Sequence, residues 1–271
     1  MNAEYTLASR ANHPENTIID VQGNCFGNGS IQIIAGPCSV DSREQVIDLA
    51  REAKAAGATM LRGGAFKPRT SPYSFQGLGK EGIEYLLEAK SLTGLPVVSE
   101  LVDKEDLPLF QDIDIIQVGA KNMQNYALLK ALGKIDKPVI LKRGWSNTLE
   151  ELLLSAEYIL AGGNNKVILC ERGIRTFEPL TRNTFDVSAI PLLKELSHLP
   201  VIADPSHGTG IASLVGPAAL AGAIVGADGL LIEIHNYPEC ALCDGKQAIT
   251  SKELSELVNK IAAVTPFAYQ R

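Results

Sequence analysis

Eight short apolar runs recur along the chain, and each has the length of a β-strand rather than of a helix. They begin at residues 31, 59, 96, 114, 138, 167, 200 and 229, and they read IQIIA, TMLRG, PVVSE, DIIQVG, PVILK, VILCE, PVIAD and GLLIEI. Nearly every position in these runs is apolar, which is typical of parallel strands that are covered on both faces. The pattern therefore predicts a buried sheet of eight parallel strands.

Segments with helical periodicity separate these runs, for example REQVIDLAREAKAAG, EGIEYLLEAK, NYALLKALG, LEELLLSAEYILAGG and IPLLKELSHL. Most of them end at a Gly or shortly before a Pro, as helices commonly do. Eight strand and helix units in about 240 residues match the size of a closed (β/α)8 barrel, the TIM barrel of the α/β class. A doubly wound open sheet is the alternative, but no Gly-rich dinucleotide fingerprint opens the first helix to support it.

The first 30 residues precede the barrel pattern. The segment TIIDVQGNCFGNGSIQ predicts a small β-hairpin that turns around Gly27 to Gly29, and such a hairpin could plug the N-terminal end of the barrel. We therefore expect an N-terminal extension over residues 1–30 and a catalytic barrel over residues 31–271. The uncharged run from Ile211 to Ala227 contains Pro217 and much Ala and Gly, which favours a buried helix over a membrane span.

Composition narrows the classes of function. A hydrophobic content of 45% supports a sizeable core, whereas a net charge of -6 argues against nucleic acid or an anionic membrane as the main partner. The five cysteines lack the spacing of a disulfide framework, and the opening residues lack the pattern of a secretory signal. We therefore expect a cytoplasmic protein with free thiols.

Polar residues concentrate where the predicted strands end, which is where barrel enzymes build their active sites. Seven of these residues are cations, namely Arg62, Lys67, Arg69, Lys121, Lys142, Arg143 and Arg172. Cations on one rim repel one another unless an anion neutralises them, and this number suits two phosphorylated groups. The loop KPRTS is interpreted as a phosphate grip, in which Arg69 supplies a fork and Thr70 and Ser71 donate hydroxyl groups.

A second set of rim residues has metal-ligand chemistry, and it comprises Cys38, His207, Glu233 and Asp244. One thiolate, one imidazole and two carboxylates suit a divalent transition ion such as Mn, Fe, Co or Zn, whereas Mg would not favour the thiolate. Each residue alone also has an ordinary interpretation as a buried thiol, a loop histidine or an ion-pair partner. The CALC sequence is a weak zinc pattern that lacks a second cysteine pair. The spacing alone leaves these alternatives open.

At these residues the chain resembles the 3-deoxy-7-phosphoheptulonate (DAHP) synthases, metal-dependent barrel transferases that condense phosphoenolpyruvate with erythrose 4-phosphate at the entrance to aromatic amino-acid synthesis. The matching stretches are IAGPCSV, RGGAFKPRTSPYSFQGLG, QVGAKNMQN, LKRG, ILCERGIRTFE, RNTFDVSA, DPSHGTG, ADGLLIEIH and ALCDG. They cover almost the whole chain, and the KPRT and DPSH blocks in that order are highly specific. We expect the short form of these enzymes, without a regulatory domain.

The resemblance implies roles for individual residues. The divalent metal is assigned to Cys38, His207, Glu233 and Asp244. Phosphoenolpyruvate is assigned mainly to Arg62, Lys67, Lys142, Arg143 and Arg172, and the sugar phosphate mainly to Arg69, Thr70 and Ser71. The family typically carries Arg where this chain has Lys121, so an ammonium replaces a planar fork at that phosphate contact. The resemblance also implies a homo-oligomer, either a homotetramer or a homodimer.

The implied reaction joins carbon 3 of phosphoenolpyruvate to the aldehyde of erythrose 4-phosphate. The metal polarises the aldehyde oxygen, water adds at carbon 2, and phosphate departs. Lys67 is our first candidate for the proton donor, because neighbouring cations should depress its pKa. Glu100 and Glu171 are candidates for handling water, His235 for orienting a metal ligand, and His207 is counted as catalytic through the metal.

Two other functions compete with this interpretation. The first is 3-deoxy-D-manno-octulosonate 8-phosphate synthase, which uses arabinose 5-phosphate, but that family resembles the chain less because it has an Asn-rich loop in place of KPRTS. The second is a catalytically silent barrel that serves as a partner-binding subunit. Such a subunit would have no reason to keep four metal ligands in distant segments.

Overall fold

The computed structural model describes residues 5–270, whose strands form one closed barrel and one small hairpin. In chain order the strands are β1 (Ile19–Val21), β2 (Asn24–Phe26), β3 (Gln32–Gly36), β4 (Met60–Arg62), β5 (Val97–Glu100), β6 (Ile115–Val118), β7 (Val139–Lys142), β8 (Val167–Glu171), β9 (Val201–Ala203) and β10 (Gly229–Glu233). The α-helices are α1 (Arg43–Ala55), α2 (Lys80–Thr93), α3 (Tyr126–Leu132), α4 (Leu149–Leu160), α5 (Ala189–Leu196), α6 (Pro205–Thr209), α7 (Ala212–Ile224) and α8 (Ser251–Val264). Short 3₁₀ helices occur at Lys104–Phe110, Ala120–Asn122, Pro238–Cys240, Gly245–Gln247 and Thr265–Phe267.

Strands β3 to β10 are neighbours in chain order, and β10 closes the ring beside β3. The two closing strands are parallel and pair residue by residue, from Gly229 with Gln32 to Glu233 with Gly36. Each barrel strand coincides with one predicted apolar run to within one residue. The predicted (β/α)8 barrel is confirmed, and the open sheet is excluded because closure removes both sheet edges.

Local sequence explains how individual helices begin and which face they bury. Helix α4 starts at a capping box, in which the Thr148 hydroxyl accepts from the Glu151 backbone N–H and the Glu151 carboxylate accepts from the Thr148 N–H. Its residues Leu152, Ala156 and Ile159 follow helical spacing and are fully buried in the main core. Burying one large aliphatic side chain of this kind stabilises the fold by about 1.5–3 kcal/mol.

The predicted hairpin exists, but its turn lies elsewhere. Strands β1 and β2 are antiparallel, and the chain reverses at Gln22 and Gly23, where φ is 53° and 88°. A two-residue turn of this type requires positive φ at both central positions, which Gly23 provides readily. The predicted turn at Gly27 to Gly29 is therefore wrong. Gly27 instead passes so close to Thr17 that an added Cβ would lie 2.3 Å from the Thr17 carbonyl oxygen.

The hairpin closes the barrel at the end where the strands begin. Ile19, Val21 and Phe26 belong to one buried cluster with inward-pointing barrel residues such as Ile34. The Gln22 side chain donates to the Asp114 carboxylate, just before β6 starts. This position agrees with the expected plug, whereas the division of the chain into residues 1–30 and 31–271 stays a prediction.

The uncharged run from 211 to 227 forms helix α7, and only one face of that helix is buried. Val215, Ala219 and Ala223 pack into the core, whereas Leu214 and Ile224 are each 38% exposed. The prediction of a buried helix is therefore right for one face and wrong for the other, because a barrel helix covers the sheet with one side only. Among residues 5–270, no helix is long and apolar enough to cross a membrane.

Candidate active site

A cavity of about 460 Å³ lies at the ends of the barrel strands, and it gathers most of the predicted site residues. Its lining includes ten of them, namely Lys67, Arg69, Thr70, Ser71, Glu100, Lys121, Lys142, Arg172, His207 and Asp244. It also includes Trp145, Arg175, Arg182 and Asn183, which the sequence analysis did not single out. Arg62 and Cys38 line a small adjoining space. The structure thus brings the predicted phosphate grip and part of the predicted metal site to one opening.

The four predicted metal ligands converge, and their ligand atoms all lie within 4.8 Å of one another. Cys38 follows β3, His207 lies in α6 directly after β9, Glu233 ends β10, and Asp244 lies in the loop that follows. The Nε2 atom of His207 is 3.3 Å from Glu233 Oε1 and 3.7 Å from Asp244 Oδ2. The Cys38 Sγ is 3.3 Å from Asp244 Oδ2. These side chains, distant in sequence, form one compact cluster.

A buried carboxylate orients the imidazole of His207. The Oδ2 atom of Asp204 lies 2.7 Å from His207 Nδ1, so Nδ1–H donates to it and the Nε2 lone pair faces the cluster. Burial lowers the pKa of His207, which favours the neutral imidazole that a metal requires. Within the described residues, the buried Glu233 Oε1 accepts no hydrogen bond. A cysteine sulfur, a neutral imidazole and two carboxylates fit a divalent transition ion, with Arg62 Nη2 3.0 Å from Glu233 Oε1 as the nearest cation to that oxygen.

A second thiol lies beside this cluster. The Sγ atoms of Cys38 and Cys243 are 3.3 Å apart, and Nη1 of Arg69 is 2.6 Å from the Cys243 sulfur. The hydrogen bond to Cys243 and burial raise the pKa of Cys38, whereas the bond from Cys38 lowers the pKa of Cys243. Cys240 of the same CALC sequence is exposed and lies outside the four-residue cluster. The two-cysteine zinc pattern therefore does not describe this site.

Several rim cations already have carboxylate partners. The ammonium of Lys142 pairs with the buried Asp204, and Arg62 Nη2 lies 3.0 Å from Glu233 Oε1. Arg143 Nη1 lies 2.9 Å from Glu171 Oε2 and 2.9 Å from Asp186 Oδ2. The anions that neutralise the rim cations are therefore in part carboxylates of the protein. The protein itself supplies part of the counter-charge.

Arg143 and Glu171 do not line the main cavity. Glu171 is fully buried, and besides Arg143 it accepts a 2.6 Å hydrogen bond from the Gly173 N–H. Side chains alternate in direction at a strand end, so Lys142 faces the cavity while the next residue, Arg143, turns away. Burial raises the pKa of Glu171 despite its cationic partner. The structure places these two residues where they support the cavity wall.

Two guanidinium groups keep unused donors. Within the described residues, Nη1 of Arg172 and both Nε and Nη1 of Arg62 are buried without a hydrogen-bond partner. Arg172 and Arg175 each face the ring of Trp145, with their Cζ atoms 5.7 and 5.8 Å from its centroid. Leaving a buried donor unpaired costs about 1–3 kcal/mol, and more for a charged group. These donors therefore indicate a binding site for an anion.

Lys67 and His235 differ from expectation. Burial would lower the pKa of Lys67, but negative charge from Cys38 and Glu100 outweighs burial and raises it. The expected depression of this pKa is wrong, because acidic groups and not only cations surround the ammonium. His235 Nδ1 accepts from the Tyr237 N–H and Nε2 lies 3.1 Å from Gln45 Nε2, so none of these contacts is to a metal ligand.

Comparison with known proteins agrees with this geometry. The model of the DAHP synthetase I family matches residues 16–267. The chain belongs to the DAHP synthetase I family. The phospho-2-dehydro-3-deoxyheptonate aldolase of Thermotoga maritima is 54% identical over 258 residues, covering 95% of this chain and 76% of the relative. More distant is a 2-dehydro-3-deoxyphosphooctonate aldolase from Syntrophobacter fumaroxidans, which is 30% identical and covers 89% of this chain and 90% of its own.

Solved structures of this family share the fold. The crystal structure of the Thermotoga maritima aldolase superposes with a TM-score of 0.94 at 52% identity, covering 97% of this chain and 77% of that chain. A truncated form of 3-deoxy-D-arabino-heptulosonate 7-phosphate synthase from the same organism gives a TM-score of 0.91 at 49% identity, covering 97% of both chains. The resemblance inferred from the motifs is confirmed, and the phosphooctonate enzymes are secondary matches.

Proposed function

We propose that this DAHP synthetase I family member condenses phosphoenolpyruvate with erythrose 4-phosphate and water to give DAHP and phosphate. The observation that carries the proposal is the juxtaposition of the four-ligand cluster with a cation-lined cavity. The cluster comprises Cys38, His207, Glu233 and Asp244, and His207 and Asp244 also line the cavity. One opening thus offers Lewis-acid chemistry and binding sites for two phosphorylated anions.

Phosphoenolpyruvate is proposed to bind at the deep end of the cavity. Arg172 lines the cavity and Arg62 lines the small adjoining space, and a phosphate or carboxylate would satisfy the free, buried donors of both. Lys142 and Lys67 line the cavity and provide ammonium groups. Arg143 is proposed to stabilise the cavity wall rather than to contact phosphoenolpyruvate, because its guanidinium is paired with Glu171 and Asp186.

The sugar phosphate is proposed to bind at the KPRTS loop. Arg69, Thr70 and Ser71 line the cavity, and the cation and hydroxyl groups suit a phosphate monoester. Lys121 also lines the cavity, and its Nζ atom donates to the Pro68 carbonyl oxygen of the loop at 2.5 Å. We assign Lys121 to the phosphate of phosphoenolpyruvate, from which position it also steadies the loop.

The metal is proposed to be Mn, Fe, Co or Zn, held by Cys38, His207, Glu233 and Asp244. When bound, such an ion supplies Lewis-acid polarisation of an aldehyde oxygen. Asp204 keeps the Nε2 lone pair of His207 directed at the cluster. The cations hold the two anions in near-attack geometry against their mutual repulsion.

Proton and water handling are proposed for Lys67 and Glu100. The raised pKa keeps Lys67 protonated, so the ammonium can donate a hydrogen bond or a proton to the aldehyde oxygen. Glu100 lines the cavity and accepts a 3.0 Å hydrogen bond from Gln117, which leaves its other oxygen available to orient water. Glu171, our other candidate, is proposed instead to position Arg143.

The proposal is tested by a steady-state assay of phosphate release. Phosphoenolpyruvate is supplied with either erythrose 4-phosphate or arabinose 5-phosphate, before and after exhaustive chelation and again after adding back one divalent ion. We expect turnover with erythrose 4-phosphate only, lost on chelation and restored by the ion. Preference for arabinose 5-phosphate, full activity without metal, or no turnover under any condition would each overturn it.

We also propose a homotetramer or homodimer located in the cytoplasm. The family resemblance supports the assembly, and the pattern of free cysteines supports a reducing compartment. Light scattering of the purified protein distinguishes the two assemblies from a monomer, and a monomeric mass would overturn this part of the proposal.

A further inference from the structure

Two side chains outside the metal-ligand cluster connect its two carboxylates. The Gln247 amide nitrogen donates to Glu233 Oε2 at 2.6 Å, and its oxygen accepts from Arg182 Nη1 at 2.8 Å. The same Nη1 lies 3.2 Å from Asp244 Oδ1. We call Gln247 and Arg182 the carboxylate bridge, because they form a continuous path from Glu233 to Asp244.

Backbone hydrogen bonds fix the position of both residues of the carboxylate bridge. Gln247 is 2% exposed and ends the 3₁₀ helix that follows Asp244, whose carbonyl oxygen accepts from the Gln247 N–H at 3.1 Å. Asp244 adopts the left-handed conformation with φ of 54°, which is uncommon for a residue other than Gly. Arg182 comes from a different loop, and its backbone N–H donates to Thr209 at the end of α6.

The bonding requires the amide of glutamine. One end of the Gln247 side chain must donate to a carboxylate while the other end accepts from a guanidinium. A glutamate in its place would lose the donor, and a methionine would lose both groups at similar size. The oxygens facing the bridge, Glu233 Oε2 and Asp244 Oδ1, are not the two closest to His207 Nε2. The bridge therefore occupies the outer oxygens, whereas the inner oxygens face His207 Nε2, with Arg62 Nη2 3.0 Å from Glu233 Oε1 and Cys38 Sγ 3.3 Å from Asp244 Oδ2.

We propose that Gln247 and Arg182 are positioning residues that hold Glu233 and Asp244 at the spacing of a single divalent ion. Arg182 offsets the repulsion between the two carboxylates, and Gln247 fixes the rotation of the Glu233 carboxylate. The inference rests on the proposed metal site. Partners of this kind, which bond to metal ligands rather than to the metal, typically change metal affinity 10–100-fold when removed.

The test is a titration of the chelated, metal-free protein with Co²⁺ alone. Absorption from charge transfer between thiolate and Co²⁺ reports binding through Cys38 without reliance on activity. We expect Gln247→Met and Gln247→Glu each to weaken Co²⁺ binding about 10–100-fold. Gln247→Met is decisive, because it removes both polar groups at similar size without adding a charge, whereas Gln247→Glu also places a second carboxylate beside Glu233.

The matched control is Gln32→Met. Gln32 is another buried glutamine, whose amide donates to the Cys25 carbonyl oxygen at 2.9 Å near the start of β3. Melting temperatures of all metal-free proteins are measured in parallel, and we expect Gln32→Met to leave Co²⁺ affinity unchanged.

The outcomes separate the inference from the proposed function. Unchanged Co²⁺ affinity in both Gln247 variants overturns the bridge while leaving the metal site intact. A loss of affinity equal to that of Gln32→Met, or fully explained by unfolding of the metal-free variants, also overturns it. No thiolate absorption in the unaltered protein refutes the metal site and the bridge together. Weakened Co²⁺ binding in folded Gln247 variants, with a normal control, supports the bridge.

Discussion

The buried pair of Lys142 and Asp204 yields a quantitative prediction. Asp204 is fully buried, Lys142 is 4% exposed, and the two side chains are in direct contact. Replacing Asp204 by Asn keeps the oxygen that caps α6 by accepting from the His207 N–H at 2.9 Å. It removes the negative charge and turns an amide N–H toward Lys142 or the His207 ring. The substitution therefore removes the buried counter-charge and one acceptor shared by Lys142 and His207, while the helix cap is kept.

The magnitude follows from burial. Removing one partner of a buried ion pair costs about 3–5 kcal/mol, because the remaining charge is left without compensation. An unfolding entropy of about 2.1 cal/mol/K per residue implies roughly 0.6 kcal/mol per degree for a chain of this size. We therefore expect Asp204→Asn to lower the melting temperature by roughly 5–9 °C. Metal affinity should also fall about 10–100-fold, because the neutral amide supports His207 less well.

The assay is thermal unfolding of the metal-free protein, followed by circular dichroism. Asp136→Asn is the matched control, since Asp136 forms a 2.6 Å pair with Lys166 but its side chain is 90% exposed. A surface pair contributes about 0–1 kcal/mol, so the control should shift the melting temperature by less than about 2 °C. Equal shifts for the two variants would refute the reasoning, because burial would then have no influence.

Three further predictions concern binding, acidity and metal. Lys121→Arg should lower the KM for phosphoenolpyruvate, since a guanidinium fork binds phosphate in two places; an unchanged or higher KM would contradict this. Burial lowers the pKa of His198, so the folded state keeps it neutral while the unfolded state gains a proton as pH falls through about 6.5. Stability should therefore fall below that pH, and urea midpoints of His198→Gln should depend less on pH, whereas parallel profiles would exclude His198 as the cause. Cys38→Ser should weaken Co²⁺ binding at least about 10-fold. The control Cys170→Ser, in the barrel interior, should leave Co²⁺ affinity unchanged. Equal affinities of the two variants would show that Cys38 is not a metal ligand.

The fold was predictable because strand runs and helical segments alternate so regularly. An apolar run such as VILCE can be covered on both faces only in a parallel sheet, and β8 occupies those five residues. The position of the hairpin turn was not predictable in the same way. Gly23 and Gly27 both have positive φ, and the pairing of Val21 with Asn24 places the turn at Gly23.

The candidate site was predictable as a set of residues but not as a set of partners. The rule that barrel active sites lie at strand ends brought Lys142 and Arg143 to the rim, yet it did not reveal which of the two faces the cavity. The pKa of Lys67 was misjudged because the sequence shows neighbouring cations but not the contact with Cys38. The sequence offers one indication of the role of Gln247, which is its position three residues after Asp244. A single glutamine in a loop does not by itself predict a functional site.

The N-terminal hairpin closes the end of the barrel at which the strands begin. Ile19, Val21 and Phe26 fill the base of the cylinder with hydrocarbon, so charged metabolites have no exit on that side. Among residues 5–270, the cavity at the other end of the barrel is therefore the route that reactants and products share. A compound that binds at the entrance of this cavity would therefore block the binding of both substrates, whichever substrate it resembles.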